Sequence, residues 1–374
     1  MAQAKLSGLS GNEIYCMSLK GLTPSGLFIG NSVQSMGFIG GLKSTFRGAI
    51  GGEVPAVTEM IHDGRAVAFE RMVEEAKTAG VQGIVGVSSE LRSLAGNSEF
   101  LFMGSGVNRA NDSGLFSSSG DAQELYCHMD AGYQPIHFVF GNIAYAVGIV
   151  SGVSGFLKTM VRGEIREFSD IFNATRHHAL ERIVGEAKKA GANAVVGVRT
   201  SVLGFSGVHE MFMTGTACKH PHLPAEFSHS PATSDLTGEE LWAMTNLGYA
   251  PIKLLISTSV YSLGVVGGLK AMFKGFVKGE ISDLTTLIYE ARENVFDRLR
   301  ADASAIGAEE IVGIKTFIVE LGSGLVEIVA IGTAVSKLPN FKTESTVLPA
   351  QAIIRDRDTW MSGDNSFMFE SVNE

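Results

Sequence analysis

Gly191-Ala192-Asn193-Ala194-Val195-Val196-Gly197-Val198 decides the fold, because a glycine there closes one helix and a short apolar strand begins directly after it. Two further copies exist, Gly80-Val81-Gln82-Gly83-Ile84-Val85-Gly86-Val87 and Gly307-Ala308-Glu309-Glu310-Ile311-Val312-Gly313-Ile314. Their central glycines recur at intervals of 111 and 116 residues. A chain of 374 residues with 45% hydrophobic side chains has room for two to three domains, and three repeats of this period fill it.

Upstream of each copy lies a helical stripe. It runs through Leu284, Leu287, Ile288, Ala291, Val295, Leu299 and Ala303 in the third repeat, and through Phe168, Ile171, Phe172, Ala179, Ile183 and Ala187 in the second. Pro55 suits the opening turn of the first repeat's helix. Downstream, two strands read as a hairpin, for example over 194–202 and 210–217.

Glycine-rich segments precede the long helices, at 37–52, 148–163 and 264–279. Lys270, Lys274 and Lys278 recur every fourth residue beside Leu269, Met272, Phe273, Phe276 and Val277, which predicts a basic amphipathic helix. Lys43, Arg47, Lys158 and Arg162 are its basic residues in the other copies. Gly52-Glu53, Gly163-Glu164 and Gly279-Glu280 then place glycine where a helix C-terminus favours it. Several glycines inside one helix cost up to about 1 kcal/mol each against alanine. A close-packed neighbour or an oligomer partner is therefore implied.

Each repeat opens with a short aromatic-containing strand at Glu13-Ile14-Tyr15-Cys16, Glu124-Leu125-Tyr126-Cys127 or Glu240-Leu241-Trp242-Ala243. Pro24, Pro135 and Pro251 then introduce the extended segments Leu27-Phe28-Ile29, Phe138-Val139-Phe140 and Leu254-Leu255-Ile256. The order is strand, helix, helix, strand, strand. The expected class is α+β, with three tandem two-layer α/β domains at 13–107, 124–218 and 240–337 and a C-terminal tail at 338–374. The polar segment 108–123 and the proline-bearing segment 219–239 read as linkers. Trp360, Met361, Phe367, Met368 and Phe369 make the tail too apolar for a purely solvated one, so part of it is expected to dock.

Three cysteines, Cys16, Cys127 and Cys218, argue against a disulfide framework and for a reducing compartment. With no apolar run at the N-terminus and none of membrane-spanning length, the expected location is the cytoplasm. A net charge of −9 disfavours a nucleic-acid partner. The chain carries no nucleophile elbow, Walker loop, dinucleotide fingerprint or metalloprotease helix, so no enzyme is expected.

The combination of Gly30-Asn31 or Gly141-Asn142 ahead of an amphipathic helix, a long helix with Arg65, Arg176 or Arg292 near its middle, the repeated glycine turn and the closing Gly215-Thr216-Ala217 resembles the YbjQ-like, heavy-metal-binding family. The resemblance covers all three repeats and is closest in the second. Gly104-Ser105-Gly106 and Ser257-Thr258 depart from it in the first and third. It implies a dodecin-like two-layer domain with a small antiparallel sheet, whose single-domain members assemble as homopentameric rings. Two assemblies follow for three domains on one chain. Five chains stack three rings, or fewer chains close a mixed ring. The five-chain homo-oligomer is the one expected.

The function expected on this basis is a non-enzymatic, ring-forming scaffold or binding protein. A second reading takes the family's label literally and places a divalent heavy metal at Cys218, His220 and His222, near His229, although their spacing matches no closed zinc site. A third is peripheral attachment to an anionic membrane, or to a protein partner, through Lys270, Lys274 and Lys278. Arg65, Arg176 and Arg292 are candidate oligomer-interface or anion-binding residues, and pairing with a carboxylate across a domain interface is the favoured role. Glu99, Glu210 and Glu327 also recur, either as a cation-binding ring or, preferably, as charges guarding an exposed edge. Cys16 and Cys127 read as small buried side chains, and His177-His178 as a surface pair.

Overall fold

The computed structural model describes residues 6–35, 52–94, 97–109, 114–146, 163–205, 208–262, 282–322 and 325–349. The glycine-rich segments predicted as amphipathic helices fall outside this set up to Gly52 and Gly163, and in the third copy entirely. Lys270, Lys274, Lys278 and the aromatic residues of the tail lie outside it too.

Each domain opens with a helix where a strand was expected: α1 (Gly11–Leu19), α3 (Ala122–Asp130) and α5 (Gly238–Asn246). Capping boxes overrule the aromatic β-propensity. Ser10 and Glu13, Asp121 and Glu124, and Thr237 and Glu240 exchange side-chain and backbone hydrogen bonds, which satisfies the orphan N–H groups of the first turn. The long helices are α2 (Pro55–Thr78), α4 (Arg166–Lys189) and α6 (Ser282–Ala305), 24 residues each.

The first domain's strands are β1 (Leu22–Gln34), β2 (Gly52–Glu53), β3 (Gly83–Leu94) and β4 (Asn97–Arg109). β5 (Phe116–Ser117), β6 (Gln134–Ala146), β7 (Gly163–Glu164), β8 (Ala194–Phe205) and β9 (Val208–Lys219) follow. The last are β10 (Ala232–Thr233), β11 (Tyr249–Ser262), β12 (Glu310–Gly322) and β13 (Leu325–Lys337). Pro24, Pro135 and Pro251 sit at register shifts of β1, β6 and β11, where a missing N–H breaks no regular ladder. Gly86, Gly197 and Gly313, the glycines that define the repeat, hold φ of +66°, +60° and +64° within the register shifts of β3, β8 and β12. A side chain with a Cβ is strained in that conformation, which is why glycine recurs there.

The sheets run β1-β4-β3-β5, β10-β8-β9-β6-β2 and β12-β13-β11-β7. Three strands of each are antiparallel neighbours from one repeat, and the others come from the adjoining repeat. The Gly-Glu pairs read as helix ends are short strands: β2 adds to β6 of the second domain, and β7 to β11 of the third. The segments read as linkers are likewise bound. β5 pairs in parallel with β3 and β10 with β8, while Ser117, Ser118 and Ser234 are buried.

Helices α2 and α4 are sandwiched. Val57, Ile61 and Ala68 of α2 share one core with Phe102 of their own sheet and with Phe138 and Phe140 of the next. Ala179 and Ile183 of α4 do the same with Val195 behind and Leu254, Ile256 and Val260 ahead. The core around Leu287, Ala291 and Val295 of α6 contains third-domain residues alone. The opening helices share a separate core containing Cys16, Cys127, Trp242 and Phe341. The first part of the tail docks there: Ser345 Oγ donates to Asp130 Oδ1 at 2.9 Å, and Lys20 bridges Asp130 and Glu344 at 2.7 and 2.8 Å. None of the described helices is long and apolar enough to cross a membrane.

Candidate functional site

Among the described residues, the buried arginines converge on the contacts between successive domains. Arg65 projects from the middle of α2 and donates through Nε and Nη2 to Glu210 of β9, at 3.3 and 2.9 Å. Its Nη1 donates to Ser89 Oγ at 2.7 Å, and the guanidinium lies 3.7 Å from the centre of the Phe212 ring. Arginine and carboxylate are both 0% exposed. A planar fork meeting a carboxylate in this way fixes orientation as well as charge.

The second contact repeats the first. Arg176 of α4 donates to Glu327 of β13 at 3.2 and 2.7 Å and to the Tyr145 hydroxyl at 3.0 Å, and Thr258 Oγ1 donates to the same carboxylate at 2.7 Å. Burial opposes the charge of Arg176, but Glu327 and Tyr145 outweigh it and hold the guanidinium above its ordinary value. Arg176 Nη1 and Thr200 Oγ1 both lack a hydrogen-bond partner, so Thr200 does not take the role that Ser89 takes beside Arg65. Arg292, by contrast, is exposed on α6.

A second arginine strengthens each contact, and the sequence reading missed it. Arg182 Nη2 donates to Glu53 Oε1, and Arg298 Nη2 to Glu164 Oε1, both at 2.6 Å. Their other arms hold the backbone oxygens of Asn142 and Thr258. The signal was present: Arg71, Arg182 and Arg298 follow Arg65, Arg176 and Arg292 at a constant interval, and each recurring Gly-Glu pair supplies a carboxylate. Thr58 and Ser169 also bridge the contacts, accepting from Ala144 N at 2.9 Å and Val260 N at 2.8 Å.

A cleft of about 310 Å³ opens beside the first contact. His62 and Asp63 of α2, Phe140 and Asn142 of β6, and Arg182 and Glu186 of α4 line it. It contains no serine or cysteine, hence no hydroxyl or thiol poised by a base beyond Thr58, whose Oγ1 already accepts from Ala144 N.

The structure places the candidate metal residues among packing and hydrogen-bonding contacts. Cys218 is buried and its thiol is pushed up by burial, away from the thiolate that a soft metal needs. His220 is stacked on Phe341 with ring centroids 4.2 Å apart, its Nε2 lies 3.1 Å from Ala131 O, and its Nδ1 accepts from His222 N at 3.2 Å. Among the described residues no group of three or more His, Cys, Asp or Glu is arranged to hold a metal ion. Cys16 and Cys127 are buried, and burial raises their thiols. His177 Nδ1 lies 2.8 Å from Asn173 O, and His178 is half exposed, 3.7 Å from Glu53.

Burial lowers His220 to about 4 and His128 to about 3. The unfolded chain therefore takes up these protons first as pH falls, and the stability that the two neutral rings contribute is lost from about pH 6.5 downward. Each withdraws about 2 kcal/mol between pH 7 and pH 5. Glu239, raised to about 7 by burial, gains its proton in the same window and offsets part of the loss. In an NMR titration both rings should stay neutral at pH 5. Protonation of either near pH 6.5 would mean that its site is open to water.

The YbjQ family model, described as "Putative heavy-metal-binding", matches residues 21–109, 132–220 and 249–337. Among curated proteins, the encapsulin nanocompartment protein Rv1762c of Mycobacterium tuberculosis is 29% identical over 244 residues, covering 63% of this chain and 91% of that protein. A UPF0145 protein of Helicobacter hepaticus is 41% identical over 83 residues, 22% of this chain and 81% of its own length. Another from Archaeoglobus fulgidus is 40% identical over 82 residues, 22% of this chain and 76% of its own. No solved structure matches the chain.

Proposed function

The chain belongs to the YbjQ family, and from that premise we propose that it is a non-enzymatic, self-assembling scaffold or binding protein whose working unit is the oligomer. The observation that carries this reading is the use made of charge. Arg65–Glu210 and Arg176–Glu327, fully buried ion pairs, join one domain to the next, and none of the four residues lines the cleft beside the first contact. A buried pair gives little net stability but penalises every misplaced neighbour, so it suits a protein that must assemble in one register. The name of the Mycobacterium tuberculosis relative, a nanocompartment protein, supports assembly as the theme.

The same contact bears on how chains combine. Successive domains are joined through one repeated helix-to-sheet contact, as neighbours around a ring would be. That favours the mixed ring over the stack of three five-membered rings, the pentamer of chains expected from the resemblance. Light scattering after size exclusion, with metal analysis on the same peak, tests both points. More than one chain per particle, with metal well below one ion per chain, is the expected result. A mass of one chain would overturn the assembly reading. One ion per chain, lost on Cys218→Ser, would transfer the function to metal binding.

A further inference from the structure

Each domain presents two different faces, a helix face forward and a sheet face behind, and the chain uses each twice. Among the described residues, one of each is left unused. The forward face of the third domain carries Arg292, exposed on α6, and nothing among the described residues pairs with it. The rear face of the first domain carries Glu99, the counterpart of Glu210 and Glu327, whose described contact is Asn31 Nδ2 at 3.5 Å. We infer that the chain associates head to tail with a second copy, the α6 face of one docking on the β1–β4 face of the next, so that Arg292 pairs with Glu99 of the second copy.

The apolar surface follows the same division. Ile29 and Val33 on β1 are 49% and 50% exposed, whereas Phe140 and Ala144 on β6, and Ile256 and Val260 on β11, are buried beneath the preceding domain's helix. On the forward side Tyr289 is 64% exposed at the position of His62, whose ring rests 5.1 Å from Phe140. The docking sets Tyr289 over Ile29 of the second copy. Thr285, also exposed, stands where Thr58 and Ser169 accept the backbone N–H groups of Ala144 and Val260, and so meets the Val33 N–H of the second copy.

Two more elements are left open at the same ends. β12 lies at the edge of its sheet, while its counterparts β3 and β8 are covered by β5 and β10. The segment of the first domain equivalent to β5 contains Leu6, 74% exposed. In the opening helices Ile14 is partly exposed where Leu125 and Leu241 are buried, and at the other end of that row Leu247, the residue that caps α5 at its C-terminus, faces solvent. These surfaces, buried on the second domain, are thus exposed among the described residues at the two ends of the chain, in complementary halves. An unlike-faced contact of this kind closes into a ring when its rotation divides the circle, and otherwise continues as an open array.

The inference rests on the self-assembly reading above, and the test separates the two. Arg292→Glu and Glu99→Arg are charge reversals at surface positions of the isolated chain, so both variants should fold. Each alone juxtaposes like charges at the contact. Light scattering should show the wild-type assembly and, for either variant alone, loss of mass to the 39.7 kDa of one chain. An equimolar mixture should reassemble beyond one chain, to the wild-type mass where the ring holds an even number of chains, because every contact between unlike variants joins opposite charges. If the wild type assembles and both variants keep its mass, the head-to-tail contact is wrong while self-assembly stands. If the wild type is itself one chain, both fall.

Discussion

Arg65→Met should destabilise the chain by about 3–5 kcal/mol, the cost of leaving a buried charge without its partner. Glu210 is 0% exposed and receives both of its described side-chain hydrogen bonds from Arg65. The methionine fills much of the volume over Phe212 but cannot donate, so the carboxylate must be buried alone or take up a proton. The double variant Arg65→Met with Glu210→Leu removes both charges and should recover most of the loss, since apolar replacement of a buried pair is often neutral or better. Urea midpoints read both values. A loss below about 1 kcal/mol for the single variant would show that water reaches Glu210 and that the pair behaves as a surface one.

Gly30→Ala should cost about 3 kcal/mol, at the upper end of overpacking effects. A Cβ at this position would stand 2.1 Å from Ala68 O and 2.4 Å from Met72 N, both backbone atoms of α2 that cannot rotate away. The helix must lift from β1, loosening Val57, Ile61 and Met72, all buried beneath it. Gly141 is similarly pressed, 2.5 Å from Ala179 O, whereas Ser257 at the third position carries a side chain, so α6 tolerates there what α2 does not. Gly185→Ala is the control. It lies inside α4 with nothing near a new Cβ, and should stabilise by about 0.5–1 kcal/mol through helix propensity alone. Thermal melts of the two variants should move in opposite directions. If Gly30→Ala melts with the wild type, the close helix–strand approach is not maintained.

The repeat was legible because its marks are local. A glycine with positive φ at a bulge, a proline at a register shift and a 24-residue apolar stripe are properties of single segments. The opening helices were misread for the same reason. Tyr15 and Tyr126 suggest strands by propensity, while capping boxes that begin three residues before Glu13 and Glu124 decide otherwise. What the sequence could not show locally is which domain a side chain serves. Glu53 and Glu164 look like helix-end residues until the fold brings Arg182 and Arg298 to them from another repeat. Pairing across more than a hundred residues leaves its trace in the recurrence of both partners. Arg65 reads as a cross-domain pairing residue, but Glu210 and Glu327, expected to guard an exposed edge, are the buried partners of Arg65 and Arg176 instead, and the pairing of Arg182 with Glu53 is missed.

Strands β2 and β7 are lent forward, and β5 and β10 backward, so no repeat owns all the strands of its own sheet. The free energy of each therefore depends on whether its neighbour is folded, as in a short one-dimensional lattice with strong nearest-neighbour coupling. Excising the middle repeat together with the segment before it would strip the first sheet of β5 and the third of β7 in one cut. The cooperative folding block is accordingly larger than the repeat, and the boundaries of the sequence repeats are not boundaries at which the protein can be divided.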